Sequence, residues 1–172
     1  MERVAIFIDG SNLYHGLKEV CGRPDLDFEK FIAWLVRNRK LIRTYYYNAP
    51  RSDSSRAAKD QQRFFDKLRM IPYFDVRLGR LEPRGGTFVE KGIDIAIAVD
   101  MVTMGYRDAF DTAILVSSDG DFAQAVDAIR ETGRHVEVAC FPRAYHLKRV
   151  ADKVIDLDAN SLAGLFMGDP LQ

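Results

Sequence analysis

The chain has 172 residues, nearly half of them hydrophobic, and its 25 basic side chains balance 25 acidic ones. That length suits one well-packed domain and is short for two, while the composition excludes a disordered chain. No apolar run approaches the roughly 20 residues of a membrane span, the opening run Val4 to Ile8 is too short for a secretory signal, and Cys21 and Cys140 have neither disulfide-scaffold nor zinc spacing, so a cytoplasmic protein with no membrane partner is expected.

Val4 to Ile8 is apolar throughout and runs straight into Asp9, as expected of a parallel strand covered on both faces. Ser11 is placed to cap a short helix to about Glu19, and the segment with Gly22 and Pro24 reads as a loop. Asp27 is an N-cap candidate for a helix in which Phe28, Phe31, Ile32, Leu35 and Val36 recur at helical spacing, although Lys30 leaves the capping box incomplete. Leu41 to Asn48, with tyrosines at 45 to 47, favours a strand. Ser54 or Ser55 then caps a helix through Arg69 that turns Phe64, Phe65 and Leu68 inward, and Pro72 stops it.

Tyr73 to Leu78 is a third strand, and Leu78 to Val89 a hairpin around Glu82 to Gly86. Gly92 to Met104 carries apolar residues on several faces and reads as a largely buried helix. A strand at Thr112 to Ser118, a helix at Asp121 to Thr132, a strand at Val136 to Phe141, a short helix at Tyr145 to Ala151, a strand at Lys153 to Leu157 and a tail helix from about Ser161 follow. This alternation predicts an α/β fold with a mainly parallel, doubly wound sheet.

Acidic residues gather where such a sheet places its ligands, at the carboxyl ends of strands. One strand ends in Asp9-Gly10-Ser11-Asn12 and another in Ser117-Ser118-Asp119-Gly120-Asp121. Taken alone, Asp9, Ser11 and Asn12 need only cap a helix; two motifs with three aspartates favour a site. Asp94 stands between Ile93 and Ile95 at the start of its helix, where the dipole favours a carboxylate and apolar neighbours make desolvation costly without a partner or a cation. Asp100 is six residues on, about 120° around the helix, and is expected to pair with an Arg or a backbone amide in a supporting role. If Asp9, Asp94, Asp119 and Asp121 converge, they form an oxygen-only ligand set suited to Mg2+ or Mn2+, ions that can orient a water, lower its pKa and neutralise charge on a phosphodiester. His15, His135 and His146 lack close ligand spacing. Asn12, Ser117 and Ser118 either hold a water or phosphate oxygen at that site or cap backbone amides.

The overall charge balance hides a separation. Arg37 to Lys91 holds 14 basic residues against 6 acidic ones, whereas Gly92 to Ala128 has seven Asp residues and the single Arg107. A basic apron beside an acidic centre suits a polyanion held over metal ions; solvated helix faces would give a similar tally. Arg51, Arg56, Lys59 and Arg63, on and after the loop leaving the second strand, are the candidate phosphate contacts. Tyr46 or Tyr47 could stack a base, although a tyrosine in a strand is more often core.

Phe-Ile-Asp9-Gly-Ser-Asn12-Leu, Lys91-Gly-Ile-Asp94-Ile-Ala-Ile-Ala-Val-Asp100 and Ser117-Ser-Asp119-Gly-Asp121-Phe, in this order, resemble the NYN domain of the PIN-like nuclease group, and its LabA-like bacterial branch in particular. The resemblance covers Arg3 to about Leu157 and implies a PIN-like, Rossmann-like three-layer α/β/α domain at residues 1–158, followed by a short helical tail at 159–172. It also implies a metal-dependent ribonuclease site with Asp9, Asp94, Asp119 and Asp121 around Mg2+ or Mn2+ and Asn12 at the motif's polar position, hydrolysing RNA by metal-activated water. A different class of function is a regulatory module that binds RNA or a protein partner and turns over little or no RNA; a third is hydrolysis of small phosphates. The tail residues Leu162, Leu165, Phe166 and Met167 could dock on a second copy to form a homodimer, or cover their own sheet.

Overall fold

A computed structural model describes residues 1–170. The first half of the chain runs β1 (Arg3–Asp9), α1 (Gly10–Cys21), α2 (Phe28–Val36), β2 (Lys40–Asn48), α3 (Arg56–Arg69) and β3 (Phe74–Leu78). A hairpin of β4 (Arg80–Arg84) and β5 (Thr87–Lys91) leads into α4 (Ile93–Tyr106). The second half adds β6 (Thr112–Val116), a 3-10 turn at Gly120–Phe122, α5 (Ala123–Arg130), β7 (His135–Cys140), α6 (Tyr145–Val150) and β8 (Lys153–Asp156). Six strands form one sheet in the order β3-β2-β1-β6-β7-β8, with every pairing parallel. This is the mainly parallel, doubly wound α/β architecture that the alternation predicts, and it is consistent with the PIN-like three-layer form that the resemblance implies. The hairpin stands apart as its own two-stranded sheet, closed by Gly85-Gly86, both at positive φ as a tight hairpin turn demands.

The unbroken apolar run of β1 has a direct explanation. Val4, Ile6 and Ile8 join a core layer with Leu13 of α1, Phe31 of α2 and Phe65 of α3. Ala5 and Phe7 point the other way, into a layer with Ile97 of α4, Val126 of α5 and Leu147 of α6. A strand buried on both faces cannot alternate with polar residues.

Helix starts follow capping chemistry. Asp27 accepts from the Lys30 amide at 3.2 Å and Ser55 Oγ from the Ala58 amide at 3.2 Å. At α1 the capping residue is Asp9, which accepts from the Asn12 amide at 3.2 Å; Ser11, expected in that role, lies inside the helix. The strand's last residue is thus also the helix's first cap, so no loop separates them.

Two expectations are corrected. Helix α4 is not buried all round: Ile93, Ile97 and Met101 form its core stripe, whereas Ile95 and Val99 are 70% and 55% exposed. The described tail forms turns rather than a helix, closed by an antiparallel bridge between Leu26 and Phe166, with positive φ at Gly164 and Gly168. Leu162 and Phe166 are buried in the chain's own core, which leaves Met167 as the exposed member of the stripe that a second copy would have used. Residues 171 and 172 of the expected tail helix lie outside the described residues. No helix among the described residues is long and apolar enough to cross a membrane.

Candidate functional site

Strands β1 and β6 lie side by side at the centre of the sheet; the chain winds from β1 toward β2 and β3 on one side and from β6 toward β7 and β8 on the other. Their carboxyl ends therefore diverge at the point where such sheets open a crevice. A cleft of about 600 Å³ occupies it, bordered by Asp9, Asn12, His15, Asp94, Ser118 and Arg143. The sequence motifs near residues 9, 94 and 118, far apart in the chain, meet here.

Asp9 is 6% exposed at the floor. Its neighbour Gly10 is required by contact: a Cβ there would stand 2.4 Å from the Tyr46 ring and 2.8 Å from the Tyr47 carbonyl oxygen. The Asn12 side chain ties the two strand ends together, its Oδ1 accepting from the Ser118 amide at 2.9 Å. Ser117 Oγ accepts from the Asp119 amide at 3.1 Å and Ser118 Oγ from the Phe141 amide at 2.9 Å. Asp119 caps the 3-10 turn by accepting from the Asp121 amide at 2.9 Å. Asn12, Ser117 and Ser118 thus hold backbone, the simpler of the two roles open to them.

Asp94 sits in the first turn of α4, exposed at its tip. Desolvation, and then the charges of Asp119 and Asp121, raise its carboxyl above the ordinary value, which puts these three carboxylates within electrostatic reach of one another. Among the described residues, none of the three forms an ion pair. Asp100, on the same helix, is turned away from the cleft: it accepts from the Tyr47 hydroxyl at 2.7 Å and pairs with Arg77 Nη1. That is the supporting role expected of it, and burial followed by the Asp100 contact pushes the Tyr47 phenol up.

The donor set is all oxygen and negatively charged, and three of its members, Asp94, Asp119 and Asp121, make no ion pair among the described residues, which fits a hard divalent cation. Among the described residues, no three His, Cys, Asp or Glu side chains are grouped closely enough to hold a metal ion between them. That is compatible with Mg2+ or Mn2+, which keep several waters and need only one or two direct carboxylates, and incompatible with a structural zinc cage. Cys140 is buried, with its thiol pushed up to about 11 by that burial, and Cys21 is likewise raised, so neither offers a ready thiolate.

The four basic candidates separate. Arg51 pairs with Asp53 at 3.3 Å and Arg63 with Asp60 at 3.7 Å, both in solvent, while Arg56 and Lys59 make no ion pair among the described residues. Of the four, Arg51 lines a second cavity, of about 620 Å³, between α1, the end of β2 and α3. Tyr46 and Tyr47 are core, at 3% and 1% exposure. The sequence pattern did not single out His15 or Arg143. Each had a signal: His15 is one helical turn after Ser11, and Arg143 follows the end of β7 as Asp119 follows the end of β6.

Comparison with known proteins gives three findings. The model of the NYN domain family matches residues 3–158. The Low amplitude and bright protein LabA of Synechococcus elongatus is 27% identical, over 91% of this chain and 84% of that protein. A solved structure of a protein of unknown function from Vibrio parahaemolyticus is also 27% identical, with a TM-score of 0.74, and the likeness covers 91% of this chain and 93% of that one.

Proposed function

We propose that this chain, which belongs to the NYN domain family, is an endoribonuclease dependent on Mg2+ or Mn2+. The family consists generally of nucleases, which supports the broad class. What carries the reading is a contrast within one helix: Asp100 is neutralised by Arg77, whereas Asp94 faces Asp119 and Asp121, with no ion pair to any of the three among the described residues. Of Asp9, Asp94, Asp119 and Asp121, one or two would hold the ion directly and the others through its waters, and the bound ion would activate an attacking water and offset charge developing on the phosphodiester. Asn12, through Ser118, keeps the ends of β1 and β6 in register for that set. Arg51, Arg56, Lys59 and Arg63 would meet neighbouring phosphates, and Arg143 lies at the cleft itself.

Purified protein should cleave RNA in Mn2+ or Mg2+ and not in excess EDTA, and Asp119→Asn should lower the rate by at least about a hundredfold while leaving the fold intact by circular dichroism. Undiminished cleavage by Asp119→Asn would refute the site. A second reading, a module that binds RNA or a protein with little turnover, is favoured by the lack of such a close grouping of ligands among the described residues. It predicts binding without cleavage in either metal.

A further inference from the structure

The second cavity adjoins the acidic cleft. Ser11 and His15 border both, so a ridge one helical turn long separates the two basins. An aromatic cluster of Phe28, Tyr46 and Phe64 forms its floor, with ring centroids 5.7 to 6.1 Å apart. Its rim is polar, and Gln61 fixes one wall: Gln61 Oε1 accepts from the Arg51 amide at 2.8 Å and Nε2 donates to the Ala49 carbonyl at 3.2 Å. Asn48 and Asp60 add acceptors, and Arg51 adds a cation at the mouth. An apolar aromatic floor, hydrogen-bonding edges and a cation at the entrance match a planar heterocycle attached to a phosphate.

We infer that this cavity holds one unpaired nucleobase of the strand whose scissile phosphate lies over the acidic cleft, an inference that rests on the RNA reading above. A base seated between α1 and α3 has no room for its pairing partner, so the substrate class is single-stranded RNA. Arg51 meets a phosphate beside that nucleotide, and the stripe of Arg56, Lys59 and Arg63 on α3 lies next to the residues that line the cavity.

Ala57, exposed in the first turn of α3, borders the cavity and offers a way to fill it. In the full chain carrying Asp119→Asn, fluorescence anisotropy would compare a short strand abasic throughout with the same strand bearing one central base. One base should tighten binding about tenfold. With Ala57→Trp added, that gain should vanish, and with Ala57→Leu, which keeps the reading available if the larger side chain disturbs folding, it should shrink. A gain unchanged in both variants, no gain without either substitution, or competition by free nucleoside monophosphates as strong as that of the strand would overturn the inference. Cleavage in Mn2+ by the chain with Asp119 intact is read separately. Its absence beside a clear base gain removes the nuclease reading alone, and its presence without a base gain removes the cavity's role alone.

Discussion

Gly10→Ala sets two physical rules against each other at the point where strand, helix and site meet. Gly10 is the first residue of α1, and local propensity predicts that alanine there stabilises the helix by up to about 1 kcal/mol. The surroundings predict the reverse. The new methyl would lie 2.4 Å from the Tyr46 ring, which is 3% exposed, and 2.8 Å from the Tyr47 carbonyl oxygen, a backbone atom held by the pairing of β2 with β1. A side chain can rotate away; the backbone of a strand paired on both sides cannot. Overpacking of this kind costs about 1–3 kcal/mol, so the expected net loss is about 1–2 kcal/mol, or a fall in Tm of about 2–8 °C for a domain of this size. Gly105→Ala is the control, because its Cβ would meet neighbours at 3.6 Å, ordinary contact, inside α4; there propensity should win and Tm should hold or rise. Thermal and urea unfolding read both, with an unchanged urea m-value showing that the unfolding reaction is the same. Because Asp9 is the adjacent residue, RNA cleavage by Gly10→Ala should fall even well below its Tm. A Gly10→Ala variant that melts above the unsubstituted protein refutes the reasoning.

Asp94→Asn should raise the Tm of the EDTA-treated protein slightly, by about 1–2 °C at pH 7, since solvent screens each like-charge contact at this exposed carboxylate to a few tenths of a kcal/mol. A carboxyl raised in the folded state, here by desolvation and then by Asp119 and Asp121, contributes stability that is present below its unfolded value near 3.8 and lost as pH rises through the folded value, so the two proteins should converge toward pH 4 and diverge toward pH 7; parallel melting curves across that range would refute the raised carboxyl. Glu137→Ala should cost about 1–3 kcal/mol in urea unfolding, because it removes the closest carboxylate of Arg39, whose Nη1 lies 2.9 Å from Glu137 Oε1 and whose side chain is 14% exposed, while Glu2 and the Leu35 and Val36 carbonyls remain as its partners; no measurable loss would show that these partners suffice.

The order of strands and helices was legible in the sequence because β1 and β6 carry apolar runs, Val4 to Ile8 and Ala113 to Val116, and because Asp27 and Ser55 cap through their own side chains, a local chemistry. Two features depend on tertiary contact and were not legible. Apolar residues all round α4 suggested burial, but the helix packs on one sheet face only, so composition could not tell Ile97, fully buried, from Ile95. The tail's leucines and Phe166 suggested a helix at the right spacing, but Gly164 and Gly168 adopt positive φ, and Phe166 pairs by its backbone with Leu26, 140 residues earlier. At the site, Asp94 was legible because a carboxylate between two isoleucines at a helix start is costly without a partner, and Asp9 and Asp119 because strand ends are a sequence property. Arg143 obeys the same rule, but with no acidic motif around it nothing drew attention to it.

The amino side of the sheet and the central crevice at its carboxyl side treat charge in opposite ways, and this bears on which carboxylates can have a function. At the amino side, Asp111 is held by Arg3 at 2.8 Å, its carboxyl lowered to about 2, and Asp108 by Arg3 and Arg134. Glu2 accepts from the Thr112 hydroxyl at 2.6 Å, and Glu137 is bracketed by Arg39 and Lys153. Each of these acids has its counter-charge built into the chain, so its contribution is to stability and registers nothing from outside. At the carboxyl side, Asp94 has Asp119 and Asp121 for company, and its carboxyl moves up rather than down. A chain that supplies arginine so consistently to the acids of one side, and to Asp100 nearly two turns along the same helix, supplies none to these three among the described residues. Charge left uncompensated in this way destabilises the free protein, and a bound cation is the simplest agent that would reverse the sign.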